Sequence, residues 1–175
     1  MTVSDSKPRQ VKATTGHPAR DVFATPRPAG ARYADDFARW AFEQAMLLRD
    51  GAFGELDIEN IAEELETLGR DEFNKLESIV AVIVTHMLKW DHQPERRSRS
   101  WAISISVQRR HAARQIKDNP SLKPRLGEAL AEAHETARLT AANETGLPLR
   151  VFPTDCPYSW QDVTDRPFAI DPDDA

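Results

Sequence analysis

The sequence predicts an all-α fold: a compact bundle of about five helices with a disordered N-terminal tail and an extended C-terminal wrap. Two observations predict it. The twelve prolines leave the stretches 29–93, 95–119 and 125–147 free of the residue that helix interiors exclude for want of an N–H. Within those stretches apolar residues recur at three- and four-residue spacing, and no segment offers a strand a convincing partner.

Residues 1–30 are polar, proline-punctuated and nearly free of large apolar side chains, with Phe23 the exception, too little to offset the entropy of ordering. They are expected to form a disordered tail, followed by one helical domain over 31–170 and a short tail over 171–175. The first helix is expected from Tyr33 to Arg49, with Tyr33, Phe37, Trp40, Ala41, Gln44 and Leu48 on one face and Gly51 as its stop. A second starts after Asp57, a good N-cap, and aligns Ile58, Ile61, Ala62, Leu65 and Leu68 until Gly69 interrupts it. A third, from Asp71 to about Trp90, carries Phe73, Leu76, Ile79, Val80, Ile83 and Met87 and ends before Pro94. It is the most apolar and therefore the central one.

The stretch Trp101, Ile103, Ile105, Val107 alternates as a strand would, but Ala112, Ala113 and Ile116 continue it with helical spacing. A helix from Ser98 to Asp118 is the reading adopted. The fifth runs from about Lys123 to Glu144 on Leu126, Ala129, Leu130, Ala133 and Ala137, and stops at Gly146. Pro148, Pro153 and Pro157 then mark an extended wrap. Ser159 with Asp162 three residues on caps a last helical turn.

Charge is segregated along the chain, although the whole carries only −5. Ten acids against Arg70 and Lys75 give residues 50–77 a net of −8; ten cations against Asp91, Glu95 and Asp118 give 86–125 a net of +7. The candidate site residues are this charged set: Glu59, Glu63, Glu64, Glu66 and Arg70 on one side, Arg96, Arg97, Arg99, Arg109 and Arg110 on the other. Guanidinium groups donate bidentately to carboxylates or phosphates, so two readings compete. The favoured one is an internal ion-pair network locking the second helix onto the 96–114 region; the other is an arginine cluster offered to an external anion.

Chemistry-bearing motifs are few. Cys156 stands alone, so neither an intrachain disulfide nor a thiolate zinc site is expected, and the thiol reads as structural rather than nucleophilic. The five histidines (His17, His86, His92, His111 and His134) form no Glu-x-x-His or His-Glu-x-x-His, so no metal and no cofactor is expected. Glu63 and Glu64 diverge by about 100° on a helix and are poorly placed as an acid/base pair. No apolar run approaches the ~20 residues of a membrane span, and no apolar region follows the basic N-terminus as in a secretory signal. A cytoplasmic location is expected.

Several strings are characteristic: Tyr33-Ala34-Asp35-Asp36-Phe37-Ala38-Arg39-Trp40, Leu56-Asp57-Ile58-Glu59-Asn60-Ile61-Ala62-Glu63-Glu64-Leu65-Glu66, and Leu68-Gly69-Arg70. Leu88-Lys89-Trp90, Gln93-Pro94-Glu95-Arg96-Arg97-Ser98-Arg99-Ser100-Trp101, Glu144-Thr145-Gly146-Leu147-Pro148 and Cys156-Pro157-Tyr158 continue the set. Together, over about residues 33–168, they resemble the bacterial domain-of-unknown-function family numbered twenty-nine. The resemblance implies an all-helical fold and a bacterial origin, and it carries no activity, cofactor or catalytic residue. The expected function is a non-enzymatic accessory or protein-interaction module. Nucleic-acid binding through Arg96, Arg97 and Arg99 is the alternative, less favoured as a partner class, with Trp90 or Trp101 available for stacking. A weaker alternative is an enzyme whose Glu/His/Arg site, drawn from Glu63, His86 or His92 and an arginine, forms only in the fold. A membrane partner is not expected, and homo-oligomerisation is left open.

Overall fold

The computed structural model describes residues 30–168, so the expected tails lie outside the described residues apart from Gly30. The fold is all-α: five α-helices joined by short turns, with no strand among the described residues. The chain divides after Leu56 into two compact units.

The first unit holds α1, Phe37–Asp50. It begins four residues later than the apolar periodicity suggests because the Asp36 side chain takes the Arg39 amide and caps it there. Tyr33 stays in the preceding turn and sets its ring edge-on against Trp40, 4.9 Å between centroids. Gly51, at φ +72°, ends α1 as expected, in a left-handed turn that brings its own amide and that of Ala52 onto the Leu48 and Leu47 carbonyls.

The second unit is built on α2, Ile58–His92. Here the sequence reading is corrected: the expected second and third helices are one helix of 35 residues, about 50 Å long. Gly69 sits inside it, and its position is open enough that a Cβ would touch nothing within 4 Å. An interior glycine costs a helix only about 1 kcal/mol relative to alanine. A break would strand up to four N–H and four C=O groups, so with helical periodicity on both sides and no proline between, the helix continues. It ends where expected, at Gln93 before Pro94.

From there α3, Arg99–Asp118, runs back along α2, and α4, Leu126–Thr145, returns alongside it. The strand-like alternation at 101–107 is therefore helical: Ile105 and Ala112 are buried, with Ile116 against the same core, while Ile103 points to solvent. α4 starts three residues after Lys123 because Pro120–Arg125 forms a 3-10 turn. α3 and α4 each pack on α2 rather than on one another. Ala129, Ala133, Ala137 and Ala141, all fully buried at four-residue spacing, let α4 approach closely. Arg125 stacks over Phe73, Lys89 pairs with Glu144, and the Gln93 amide donates to the Thr145 carbonyl, so α4 runs parallel to α2. Leu76, Val80, Ile83, Val84, Met87 and Leu88 form the centre, as expected of the most apolar segment. The chain from Gly146 wraps back over the bundle through Phe152 to α5, Trp160–Asp165, whose Ser159/Asp162 capping box is fully formed.

Candidate functional site

The fused α2 decides the geometry of the charged residues. Glu63 and Trp90 are 27 residues apart on one helix, about 40 Å along its axis. Arg96 and Arg97 follow beyond that far end. α3 returns only as far as Glu72, whose backbone carbonyl and Oε2 accept from the Gln115 side chain at 2.9 and 2.7 Å, with Asn119 donating to the same Oε2 at 3.1 Å. Glu59, Glu63, Glu64 and Glu66 thus lie on the part of α2 that precedes its pairing with α3. The expected locking of these glutamates to the arginines at 96 and 97 is not what α2 permits. Of the acidic-side set, Glu66 pairs with Arg70 one turn on, at 3.6 Å.

The acidic half of α2 carries an exposed apolar stripe. Ile58, Leu65 and Leu68 are 66%, 63% and 60% exposed, and they fall within about 80° of one another around the helix. Glu66 and Glu59, both exposed, lie about 80–100° beyond Ile58 along one margin of the stripe, and Glu63, also exposed, lies on the opposite face of the helix. The stripe that the spacing aligns is thus surface at Ile58, Leu65 and Leu68.

The arginines are distributed over the other end of the unit. Arg97 donates Nε–H to the Trp90 carbonyl at 2.9 Å and lies over the Trp90 ring. Arg109 reaches from α3 to the end of α5, giving Nε–H to the Val163 carbonyl at 2.6 Å and an Nη2 hydrogen to the Asp162 carbonyl at 3.0 Å. Its guanidinium stacks on Phe168, and burial lowers its pKa. Arg96 and Arg110 are exposed. Arg99, Ala102, Ile103, Ile105, Ser106, Arg109 and Phe168 line a cleft of about 330 Å³ on the side of α3 that faces the C-terminal wrap.

Sequence reasoning missed two polar clusters here. Asp91, near the end of α2, is gripped bidentately by Arg166 and accepts the Tyr158 hydroxyl at 2.8 Å. Burial pushes the Asp91 carboxyl up, but hydrogen bonds from Arg166 and Tyr158 outweigh it and hold the group below its ordinary value. Burial, reinforced by Asp91, pushes the Tyr158 phenol upward. Lys89, only 7% exposed, pairs with Glu144 and holds its ammonium 4.6 Å from the Trp101 ring centroid, tying three helices together. No spacing in the sequence announces either cluster. The only signal is that Leu88-Lys89-Trp90, Trp101, Glu144-Thr145-Gly146 and Cys156-Pro157-Tyr158, strings that carried the family resemblance, all meet at this end.

His86 and His134 carry buried ring nitrogens (Nδ1 and Nε2) without a hydrogen-bond partner, and burial lowers both pKa values. His86 lies 23 residues beyond Glu63 on the same helix, about 35 Å away, so the Glu63–His86 pairing imagined for an enzyme site does not assemble. His92 packs edge-on against Phe152. The Cys156 thiol faces the Tyr158 carbonyl, and burial raises it away from the reactive thiolate. Among the described residues no cluster of three metal-ligating side chains occurs, and no helix is long and apolar enough to cross a membrane.

The family model described as "Domain of unknown function DUF29" matches residues 32–169, and the chain belongs to that family. No curated protein and no solved structure matches it.

Proposed function

We propose that this DUF29 chain is a non-enzymatic interaction module that docks a basic amphipathic helix of a partner protein on the first half of α2. The observation that carries the reading is the stripe of Ile58, Leu65 and Leu68, exposed on a helix that bears Glu59 and Glu66 along one margin of it. A helix offers such a stripe to another helix at i, i+3, i+4 and i+7 anchors, and Glu59 and Glu66 select lysine or arginine on that side of the partner. The same carboxylates repel a second copy of the same face, an anionic lipid surface and a nucleic-acid backbone. A nucleic-acid groove is further disfavoured because Arg97 and Arg109 are engaged on backbone carbonyls. The sole cysteine suits a reducing compartment, which supports placing the protein in a bacterial cytoplasm.

The test is fluorescence anisotropy with a labelled amphipathic peptide bearing leucines at helical spacing flanked by lysines, and a twin with glutamates in their place. The lysine peptide binds, more weakly as salt rises, and Leu65→Gln with Leu68→Gln removes binding. Equal binding of both peptides, or binding indifferent to the double variant, refutes the reading. Sedimentation equilibrium gives the competing answer: self-association lost in the same variant makes the stripe a homo-oligomer face instead.

A further inference from the structure

A different site lies at the other end of the second unit and does not depend on the docking reading. We infer that the cleft between α3 and Phe168 binds a small organic anion, a phosphate or carboxylate carried on an apolar body. Its volume of about 330 Å³ lies at the lower end of the ~300–1,000 Å³ range of small-molecule pockets, so a compact ligand fits and a folded peptide does not. The lining alternates in kind along one face of α3. Arg99 stands at the first position of the helix, Ala102 and Ile103 one turn on, Ser106 a turn further, and Arg109 beyond. Two guanidinium groups, a hydroxyl and the exposed Ile103 therefore border a floor made by Ala102, Ile105 and the Phe168 ring.

The state of Arg109 gives the cleft its sign. The guanidinium is partly buried, yet its two hydrogen bonds go to neutral carbonyls, those of Asp162 and Val163, and neither goes to a carboxylate. Burial opposes its charge, Asp165 favours it and Arg166 opposes it, and burial prevails to lower its pKa. The bonds use Nε and Nη2, which fixes the plane of the fork and leaves Nη1 to donate to something else. Stacking on Phe168 at 5.3 Å holds that plane without spending a donor. A guanidinium pre-oriented in this way, with a hydroxyl one turn away on the same helix, is how proteins recognise phosphate and carboxylate oxygens. The apolar floor gives the remainder of the ligand a surface to cover. Phosphate and carboxylate are available from a small molecule, and carboxylate also from the chain itself, since Asp171, Asp173 and Asp174 follow Phe168 in the sequence.

Isothermal titration with phenyl phosphate separates these sources. The full chain is compared with Arg99→Gln, Ser106→Ala, an Arg110→Gln control on an exposed arginine outside the cleft lining, and an Asp171→Asn/Asp173→Asn/Asp174→Asn chain. Arg109 is left intact because its loss also unties α5. The expected result is saturable binding by the full chain, weakened about tenfold by Arg99→Gln, a loss of one charge-assisted contact, and a few-fold by Ser106→Ala. Arg110→Gln leaves it unchanged. Binding seen only in the triple asparagine chain, and still sensitive to Arg99→Gln, supports the anion site and assigns its natural occupant to the chain's own aspartates. No binding by either chain overturns the inference. Binding indifferent to both Arg99→Gln and Ser106→Ala overturns the location, and inorganic phosphate binding as tightly as phenyl phosphate overturns the apolar floor.

Discussion

Replacing Gly69 with alanine distinguishes one long helix from two by the sign of its effect. Gly69 is exposed in the interior of α2, its φ is not positive, and an added Cβ meets no atom within 4 Å. Alanine therefore adds no clash. It restricts the unfolded chain and improves helix propensity, together worth about 0.5–1 kcal/mol in favour of the folded state. In urea the midpoint should rise with an unchanged slope, and the melting temperature should rise by roughly 1–4 °C for a chain of this size. A glycine that ended a helix would behave oppositely, since alanine in the left-handed region costs about 1–2 kcal/mol. The molecule contains that control twice: Gly51 and Gly146 both sit at φ +72° as helix stops, so Gly51→Ala and Gly146→Ala should lower the midpoint. If Gly69→Ala destabilises as they do, α2 is broken at Gly69 and the 40 Å separation of Glu63 from Trp90 falls with it.

Other consequences follow from burial and pairing. Leu76→Ala or Ile83→Ala, both at fully buried positions of α2, should cost about 2–5 kcal/mol in urea unfolding; near-neutral values would mean the core lies elsewhere. His134, 2% exposed with an unpartnered Nε2, should tolerate leucine with a gain on the order of 1 kcal/mol, because a buried unsatisfied polar atom is removed; a loss of that size in thermal melts would show a hidden partner. Because burial lowers the folded pKa of His86 and His134, the folded state binds fewer protons than the unfolded one. Stability should therefore be full above about pH 6.5, the unfolded histidine value, and decline as pH falls below it. His134→Leu should flatten that slope, and an unchanged slope between pH 7 and 5 in the variant would refute His134's share. Arg97 is exposed and held by one carbonyl and one ring face, so Arg97→Ala should cost about 0.5–1.5 kcal/mol rather than the ~3–5 of a stranded buried partner.

What was legible in the sequence was whatever one segment decides by itself. Proline positions, the Gly51 and Gly146 stops, the Ser159/Asp162 cap and the apolar centre of α2 are local, and each is found in the structure where the sequence placed it. The 101–107 alternation resolves to helix because no other segment offers a strand partner and the spacing continues as helical through Ala112 and Ile116. Gly69 misled because a glycine marks both the end of a helix and a tolerated weak point inside one. The choice depends on whether the neighbouring residues can close a left-handed turn, which one-dimensional spacing does not encode.

That single local error had long-range consequences for the site. Had the chain turned back at Gly69, the acidic second segment would have lain antiparallel to the third, and the −8 and +7 stretches would have been brought face to face. Continuing the helix carries Glu59, Glu63 and Glu66 to the end opposite Arg96 and Arg97, and each charge must then find another use. At the basic end Arg97 and Arg109 turn to backbone carbonyls, while Asp91 is neutralised by Arg166, 75 residues away in sequence, a partner no spacing rule identifies. At the acidic end the glutamates border leucines that α3 and α4 do not reach. Charge segregation in a helical sequence is thus evidence of an internal network only where the intervening turn is established. Where a helix runs through instead, the same pattern produces two separate surfaces of opposite sign, and function should be sought at each independently.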